Sequence, residues 1–326
     1  MAQTAAKLVL EPIFEADMDD SAYGYRPKRS AIEAVKVVHG MLIQGYTQVV
    51  DADLSKYFES IPHDDLMRSV ALRIVDRAVL TLLKGWLQVP VQRDGPQGPR
   101  SSGGKGNKLG TPQGGVISPL LANRYMNRFL RYWRQSPAAQ ALGAPIVAYA
   151  DDFVILSRGR RQAQAALALT RKAMSKLKLG INETKTCVRN ARQERFDFLG
   201  YSFGVHHMKR HGKPYLGASA SLGAVQRCKG KVSAALGASP APWKDVRDGL
   251  NRMLRGWENY FQYGSTRKSY RAINAHVRTT VEHFLQRRHQ VPSRGTRQFS
   301  HTRIFAELGV HEMGGRTGSA LPTALQ

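Results

Sequence analysis

The chain has 326 residues, enough for two domains or one large one, and 42% of them are hydrophobic, so a substantial core is available and global disorder is excluded. Lys and Arg outnumber Asp and Glu by 49 to 24, a net charge of +25. That excess points to a polyanionic partner, nucleic acid before a membrane surface, with a merely cationic ribosome-associated protein as the plain alternative. No stretch is apolar and long enough to span a membrane, and the N-terminus lacks the basic start and apolar run of a secretory signal. Two cysteines, Cys187 and Cys228, can build neither a disulfide framework nor a zinc site by themselves, which suits a reducing cytosol.

In chain order, residues 30–45 carry apolar positions at helical spacing, with Ser30 as N-cap and Glu33 completing a capping box. Residues 47–58 alternate apolar and acidic side chains and read as a strand; 62–88 read as helix, broken once. Residues 94–110 are rich in Gly, Pro and Ser, as a loop or hairpin tip is. Residues 118–135 form a predicted helix with Ser118 as N-cap and Pro119 at its first position. A hairpin with Tyr149-Ala150-Asp151-Asp152 at its tip follows, then a helix over 160–180 ended by Gly180. Two short strands come next, a linker is expected from Gly230 to Pro242, and the rest is helical and basic. Residues 205–306 hold 19 Lys and Arg against 4 Asp and Glu, an excess of 15 positive charges. This order predicts an α+β fold, antiparallel strands backed by helices.

The acids deserve chemistry of their own. Asp51 and Asp53 alternate on one strand and point to one face. Asp151 and Asp152 sit side by side at the hairpin tip, where Asp is also an ordinary turn residue. A carboxylate cluster is costly without cations, and two Mg²⁺ ions, hard cations that take oxygen ligands, would relieve it and serve phosphoryl transfer.

The segments VVDADLSKYFESIPHDDL, GTPQGGVISPLLANRYMNRFL, YADDFVILSR, LGINETKTCVR and FDFLGYSFG occur in this order and together resemble the successive palm blocks of bacterial group II intron reverse transcriptases. Residues 7–35 resemble the fingers block leading into the palm, and PWKDVRDGLNRMLRGWENYFQYG resembles the thumb, or maturase, segment that grips intron RNA. The likeness covers roughly residues 6–285. It implies a right-hand-like polymerase: partial fingers and palm over 1–205, a basic connection over 206–242, a helical thumb/maturase domain over 243–305 and a tail over 306–326.

The resemblance implies roles residue by residue. Asp53, Asp151 and Asp152 are the metal-binding acids of RNA-directed DNA synthesis with two Mg²⁺, or Mn²⁺ as substitute; Asp51 is an accessory. Phe58 matches the steric gate against ribose, or is a core aromatic. Gln113 and Gly114 match contacts to nucleotide and template, and Tyr149 the aromatic near the primer terminus. Lys185 matches a lysine suspected of protonating pyrophosphate, or is solvated surface. Arg26 and Arg29 suit template or nucleotide phosphates, or are surface charge at a helix entry. Arg252, Arg255, Arg267, Lys268, Arg271 and Arg278 are the expected RNA contacts, with Leu254, Trp257, Tyr260 and Phe261 as the core stripe beneath them.

The implied partners are an RNA template or group II intron RNA, a DNA primer or target DNA, and dNTPs, in the bacterial cytoplasm and away from membrane. The family's usual opening fingers segment is missing from the sequence, and no endonuclease follows the thumb-like stretch. Two functions therefore stand: an active reverse transcriptase with a splicing role, or a truncated remnant that acts only as an RNA-binding maturase. An RNA-dependent RNA polymerase is disfavoured by Phe58 and by the thumb-like segment.

Overall fold

A computed structural model describes residues 1–95, 98–102, 104, 106–112, 114–208, 210–237, 240–289 and 298–315. The chain divides into two compact units, Met1–Leu199 with Gly204–Leu216, and Gly200–Phe203 with Gly217–Gln326.

The first unit opens with α1 (Ala2–Glu15) and α2 (Ala31–Ile43). The capping box expected at α2 is present, with Glu33 N–H donating to Ser30 Oγ and Ser30 N–H to the Glu33 carboxylate. β1 (Gln48–Ala52) follows and is shorter than the expected strand. Lys56 takes a left-handed φ of +48° and the chain turns into α3 (Tyr57–Ser60). Then come α4 (His63–Ala71), α5 (Arg77–Leu87), the hairpin β2 (Val91–Gly95) and β3 (Gly98–Ser102), α6 (Ser118–Gln135) and α7 (Pro137–Ala141). Ser118 does not cap α6: its hydroxyl donates to the carbonyl of Pro112, which ties down the preceding loop instead. β4 (Ile146–Tyr149), β5 (Asp152–Ser157), α8 (Arg160–Lys176), β6 (Cys187–Asn190) and β7 (Phe196–Phe198) complete the run. α8 stops before Gly180, because Lys178 adopts the left-handed conformation (φ +56°) that the sequence assigned to the glycine.

The central sheet is antiparallel with order β4-β5-β1-β6. Alternation gives it two faces. Val50, Ala52, Phe153, Ile155, Ile146 and Ala148 belong to one large core with Leu121, Tyr125 and Phe129 of α6 and Ala163, Ala166 and Met174 of α8. Asp51 lies on the opposite face, paired across β5 with Val154.

α6 also holds the chain between α1 and α2. Arg124, 3% exposed, donates to the carbonyl of Ser69 at 2.9 and 3.1 Å and to Asp17 at 3.1 Å. Arg73 completes the pair on Asp17. Asn127 donates to the Asp17 carbonyl and accepts from Asp19 N–H, both at 2.8 Å. The guanidinium of Arg73, then that of Arg124, holds the Asp17 carboxyl below its usual range. Burial meanwhile lowers Arg124, which remains charged, so acid sensitivity resides in Asp17.

Strands β8 (Tyr201–His207) and β9 (Pro214–Ala220) each lend residues to both units. The second unit packs α9 (Leu222–Ala235), α10 (Trp243–Tyr260) and α11 (Arg267–Arg288) around Val232, Leu250, Leu254, Ile273, Val277 and Val281. Residues 230–235 are thus the last turns of α9, not linker: Val225, Cys228, Val232 and Leu236 bury one face of that helix. Residues 309–315, expected as tail, form a strap on this core. The Asn251 amide binds the Gly309 carbonyl and His311 N–H, and the Asn274 amide binds both backbone groups of Met313. Ile304, Val310 and Met313 are buried with the helices. Among the described residues no helix is long and apolar enough to cross a membrane.

Asp17→Asn is expected to cost about 3–5 kcal/mol, because it leaves Arg124 buried without a counter-charge. The folded pKa of Asp17 is lowered, so the stability it contributes is complete above the ordinary value of 3.8 and is lost as pH falls below that toward the folded value. Urea midpoints measured from pH 7 to pH 3 should show this acid loss in the wild type and a smaller one in Asp17→Asn.

Candidate active site

The acids meet at one end of the central sheet. Register pairs Ala52 with Phe153 and Tyr149 with Asp152. Continued by one residue past β1, it sets Asp53 across from Asp152. The β4–β5 connection is the two-residue loop Ala150-Asp151, and Ala150 carries a φ of +57°. Asp53 and Asp151 are partly exposed and Asp152 is open to solvent. Even so, the protein packed around Asp152 pushes its carboxyl pKa up, and the charges of Asp151 and Asp53 push it further, while Lys185 opposes them. Asp51, deeper on the same face, is pushed up to about 6 by burial, against the pull of Arg189 at 3.7 Å.

Asp53 is held from the turn before β6. Asn182 Nδ2 donates to Asp53 Oδ2 at 3.0 Å, and Lys185 Nζ stands 3.3 Å from the same oxygen. Asn182 N–H donates to the Asp53 carbonyl at 2.8 Å, and Thr186 Oγ accepts from Asp53 N–H at 3.2 Å. The Asn182 carbonyl oxygen of the side chain accepts from Thr184 at 2.7 Å, which fixes the amide's orientation. Sequence reasoning picked out Lys185 in this turn and missed Asn182 and Thr186; an Asn opening a turn directly before a strand was the available signal.

Asp53, Asp151 and Asp152 offer carboxylate oxygens, the ligand type a hard divalent cation takes, and their mutual repulsion is what such a cation would relieve. The residues therefore fit a divalent ion in chemistry. Among the described residues, no three His, Cys, Asp or Glu side chains are drawn together into a finished cage.

Neighbouring candidates fall as follows. Phe58 is half-buried, its ring edge-on to Tyr57 at 5.5 Å and packed against the main core. Its carbonyl accepts from Thr111 N–H at 2.6 Å, and the carbonyl of Gly110 accepts from the buried His63 ring at 2.6 Å, so the loop before α6 is fastened beside α3. Gly114 has a φ of +84° with open space where a side chain would be; only glycine adopts that freely. Gln113 lies outside the described residues. The Tyr149 ring faces Tyr25 at 6.2 Å.

Arg26 requires a correction. Its side chain is 6% exposed and its guanidinium donates internally, to Glu15 at 2.7–3.1 Å and to the carbonyls of Asp19 and Ala22 at 2.7 and 2.8 Å. Four of its five N–H donors are thus spent inside the protein, on a side chain almost closed to solvent, which takes it out of the phosphate contacts. Arg29 is held more loosely, 3.5 Å from Asp20 and over the Tyr23 ring.

In the second unit, Arg252, Arg255, Arg267, Lys268, Arg271 and Arg278 are all exposed, and among the described residues none of them is in an ion pair. Leu254 and Phe261 are buried, and Trp257 and Tyr260 half-buried. Arg267, Arg271 and Arg278 line a groove of about 580 Å³ whose far side is His301 and the strap residues Glu312 and Gly314.

Residues 1–203 match the family described as reverse transcriptase (RNA-dependent DNA polymerase), and residues 225–301 match the group II intron maturase-specific domain. The strap at 309–315 lies beyond the matched stretch. Protein YkfC of Escherichia coli (strain K12) is 32% identical over 65% of this chain and 62% of its own length. Group II intron-encoded protein LtrA of Lactococcus lactis subsp. cremoris is 26% identical over 65% of this chain and 44% of its own. An uncharacterized 91 kDa protein in cob intron of Schizosaccharomyces pombe is 24% identical over 99% and 47%. The chain thus spans 44–62% of the length of these curated relatives. Among solved structures, telomerase from Candida albicans covers 93% of this chain and 56% of its own at 13% identity, with a TM-score of 0.48.

Replacing Arg26 by Lys should lower thermal stability by several degrees, about 2 kcal/mol for a charge-assisted network reduced to a point charge. In Arg26→Gln, which removes the charge, the salt dependence of RNA binding should be unchanged; a shallower salt slope there would return Arg26 to the phosphate contacts.

Proposed function

The chain belongs to the reverse transcriptase family, and from that membership we propose that it catalyses RNA-templated DNA synthesis of the group II intron type. In this reading residues 1–205 carry the chemistry, and 243–305 grip intron RNA, in the cytoplasm and among nucleic acid. The observation that carries it is the set of carboxylates of Asp53, Asp151 and Asp152 at one sheet end, where the charges of Asp151 and Asp53 both push Asp152 up, with Lys185 beside Asp53.

Two Mg²⁺ ions, or Mn²⁺ in their place, would supply Lewis acidity and charge neutralisation for in-line phosphoryl transfer when held by Asp53, Asp151 and Asp152. The chain's own residues do the rest by position. From the turn before β6, Asn182 and Thr186 fix Asp53 at the end of β1. Lys185, exposed and 3.3 Å from Asp53, hands a proton to the departing pyrophosphate. Half-buried Phe58 lies beneath the incoming sugar, where its ring excludes a 2′-hydroxyl. Tyr149 sits at the primer terminus, Gln113 and Gly114 at the nucleotide and template, and Arg29 at phosphate. The exposed arginines of α10 and α11 draw in the RNA backbone, whose charge dominates affinity.

Primer extension on an RNA template with an annealed DNA primer, dNTPs and Mg²⁺ tests this reading. Wild type should extend, and Asp151→Ala with Asp152→Ala should lose about a hundredfold or more. Arg271→Ala with Arg278→Ala should weaken RNA binding and lower its salt slope by about one per lost phosphate contact. Tight RNA binding without extension by wild type would leave the chain an RNA-binding maturase only.

A further inference from the structure

The segment between α1 and α2 touches the site, and it does so through backbone. Ser21–Tyr23 lies parallel to β4: Ala22 bridges Ala148, Tyr23 N–H donates to the Ala148 carbonyl at 2.8 Å, and Ala148 N–H donates to the Ser21 carbonyl at 2.9 Å. The next residue, Gly24, lies against the Tyr149–Ala150 peptide itself. A Cβ at position 24 would stand 2.4 Å from Ala150 N, 2.9 Å from the Tyr149 carbonyl carbon and 3.2 Å from Tyr149 Cα. No flexible side chain is there to give way. The Gly24 carbonyl is gripped by Asn123 Nδ2 of α6 at 2.5 Å, so the segment cannot retreat without breaking a buried hydrogen bond. Arg26 staples the same segment to α1 through Glu15 and the carbonyls of Asp19 and Ala22.

The backbone is strained on both sides of this contact. Tyr25 holds a φ of +53° and Ala150 a φ of +57°, conformations that L-residues adopt only when their surroundings impose them. Gly24 itself is not in the left-handed region, so its lack of a side chain meets a demand for space alone.

We propose that Gly24 is a positioning residue for the polymerase reaction: its bare backbone is the stop against which the Ala150-Asp151 turn is set, and so fixes where the Asp151 and Asp152 carboxylates stand. The proposal rests on the reverse transcriptase reading for its kinetic consequence only. The placement of the carboxylates can be read without turnover.

The test uses the full chain with Gly24→Ala, and Gly40→Ala as matched control, since a Cβ at Gly40 meets only open space. Three readouts are taken: Mn²⁺ binding followed by electron paramagnetic resonance, hydrogen exchange at the amides of Ala148 and Tyr149, and primer extension resolved into kcat and KM. Gly24→Ala should fold with a lowered melting temperature, bind Mn²⁺ about tenfold or more weakly and exchange faster at these amides. Its kcat should fall by about tenfold to a hundredfold with KM for template–primer unchanged, the penalty of misplacement by about 1 Å. Gly40→Ala should match wild type in all three.

A folded Gly24→Ala with wild-type Mn²⁺ affinity and kcat overturns the proposal. If wild type itself does not extend, the polymerase reading fails, and Mn²⁺ affinity and amide exchange decide the proposal by themselves. If Gly24→Ala does not fold, Asn123→Ala, which frees the Gly24 carbonyl without adding an atom, carries the same expectation at smaller amplitude. Wild-type values in that variant overturn it equally.

Discussion

Like carboxylates gathered at a sheet end repel, and here the strand register fixes the backbone positions of three of them. Asp152 begins β5, Asp53 follows the last paired residue of β1, and Asp151 occupies the turn between β4 and β5. Separating them would mean slipping the strand register, which would move Val50, Ala52, Phe153 and Ile155 out of the main core. The hydrophobic face of the sheet therefore sustains the electrostatic conflict on the other face. Part of the conflict is met locally, by Lys185 and Asn182 at Asp53 and by Arg189 at Asp51. Burial first, and the neighbouring carboxylates after it, raise the pKa values of Asp51 and Asp152. A site with that residual charge is predisposed to hard cations.

The strain needed to hold the turn is spread over a chain of contacts leading back to α6. Arg124 and Asn127 fix the residues after α1 through Asp17 and Asp19, Arg26 folds the following turn onto α1, and Asn123 seizes Gly24. Residues 123, 124 and 127 lie on consecutive turns of one buried helix face, so one helix sets the height of the whole segment. The buried Asp17–Arg124 pair thus contributes more than its own interaction energy: it anchors the strand-like stretch beside β4.

Some of this was legible in the sequence because local chemistry decided it. The capping box at Ser30 and Glu33 and the acids of β1 and the β4–β5 tip depend on neighbours a few residues away. The misreadings share a cause in distant partners. Arg26 resembles a phosphate ligand until Glu15 and two carbonyls are folded around it. α9 looks like linker because of Gly230 and its small residues, and burial of Val225, Cys228 and Val232 overrides that weak propensity. Residues 309–315 have a tail's composition, and only the amides of Asn251 and Asn274, 39 to 60 residues earlier in the chain, make them a strap.

Charge is divided along the chain in a way that bears on how a polyanion would be handled. The acids gather at one sheet end of the first unit, while residues 205–306 carry an excess of 15 positive charges. Exposed arginines on α10 and α11 attract a phosphate backbone at long range, and the attraction weakens with salt. The bare carboxylates do the reverse, repelling phosphate until cations intervene. On the proposed function, affinity for nucleic acid and competence for chemistry are therefore separable. The first is set by guanidinium groups that need only be exposed. The second is set by carboxylates that must be held in place against their own repulsion, which is what the hydrogen bonds on Asp53 and the bare backbone of Gly24 serve.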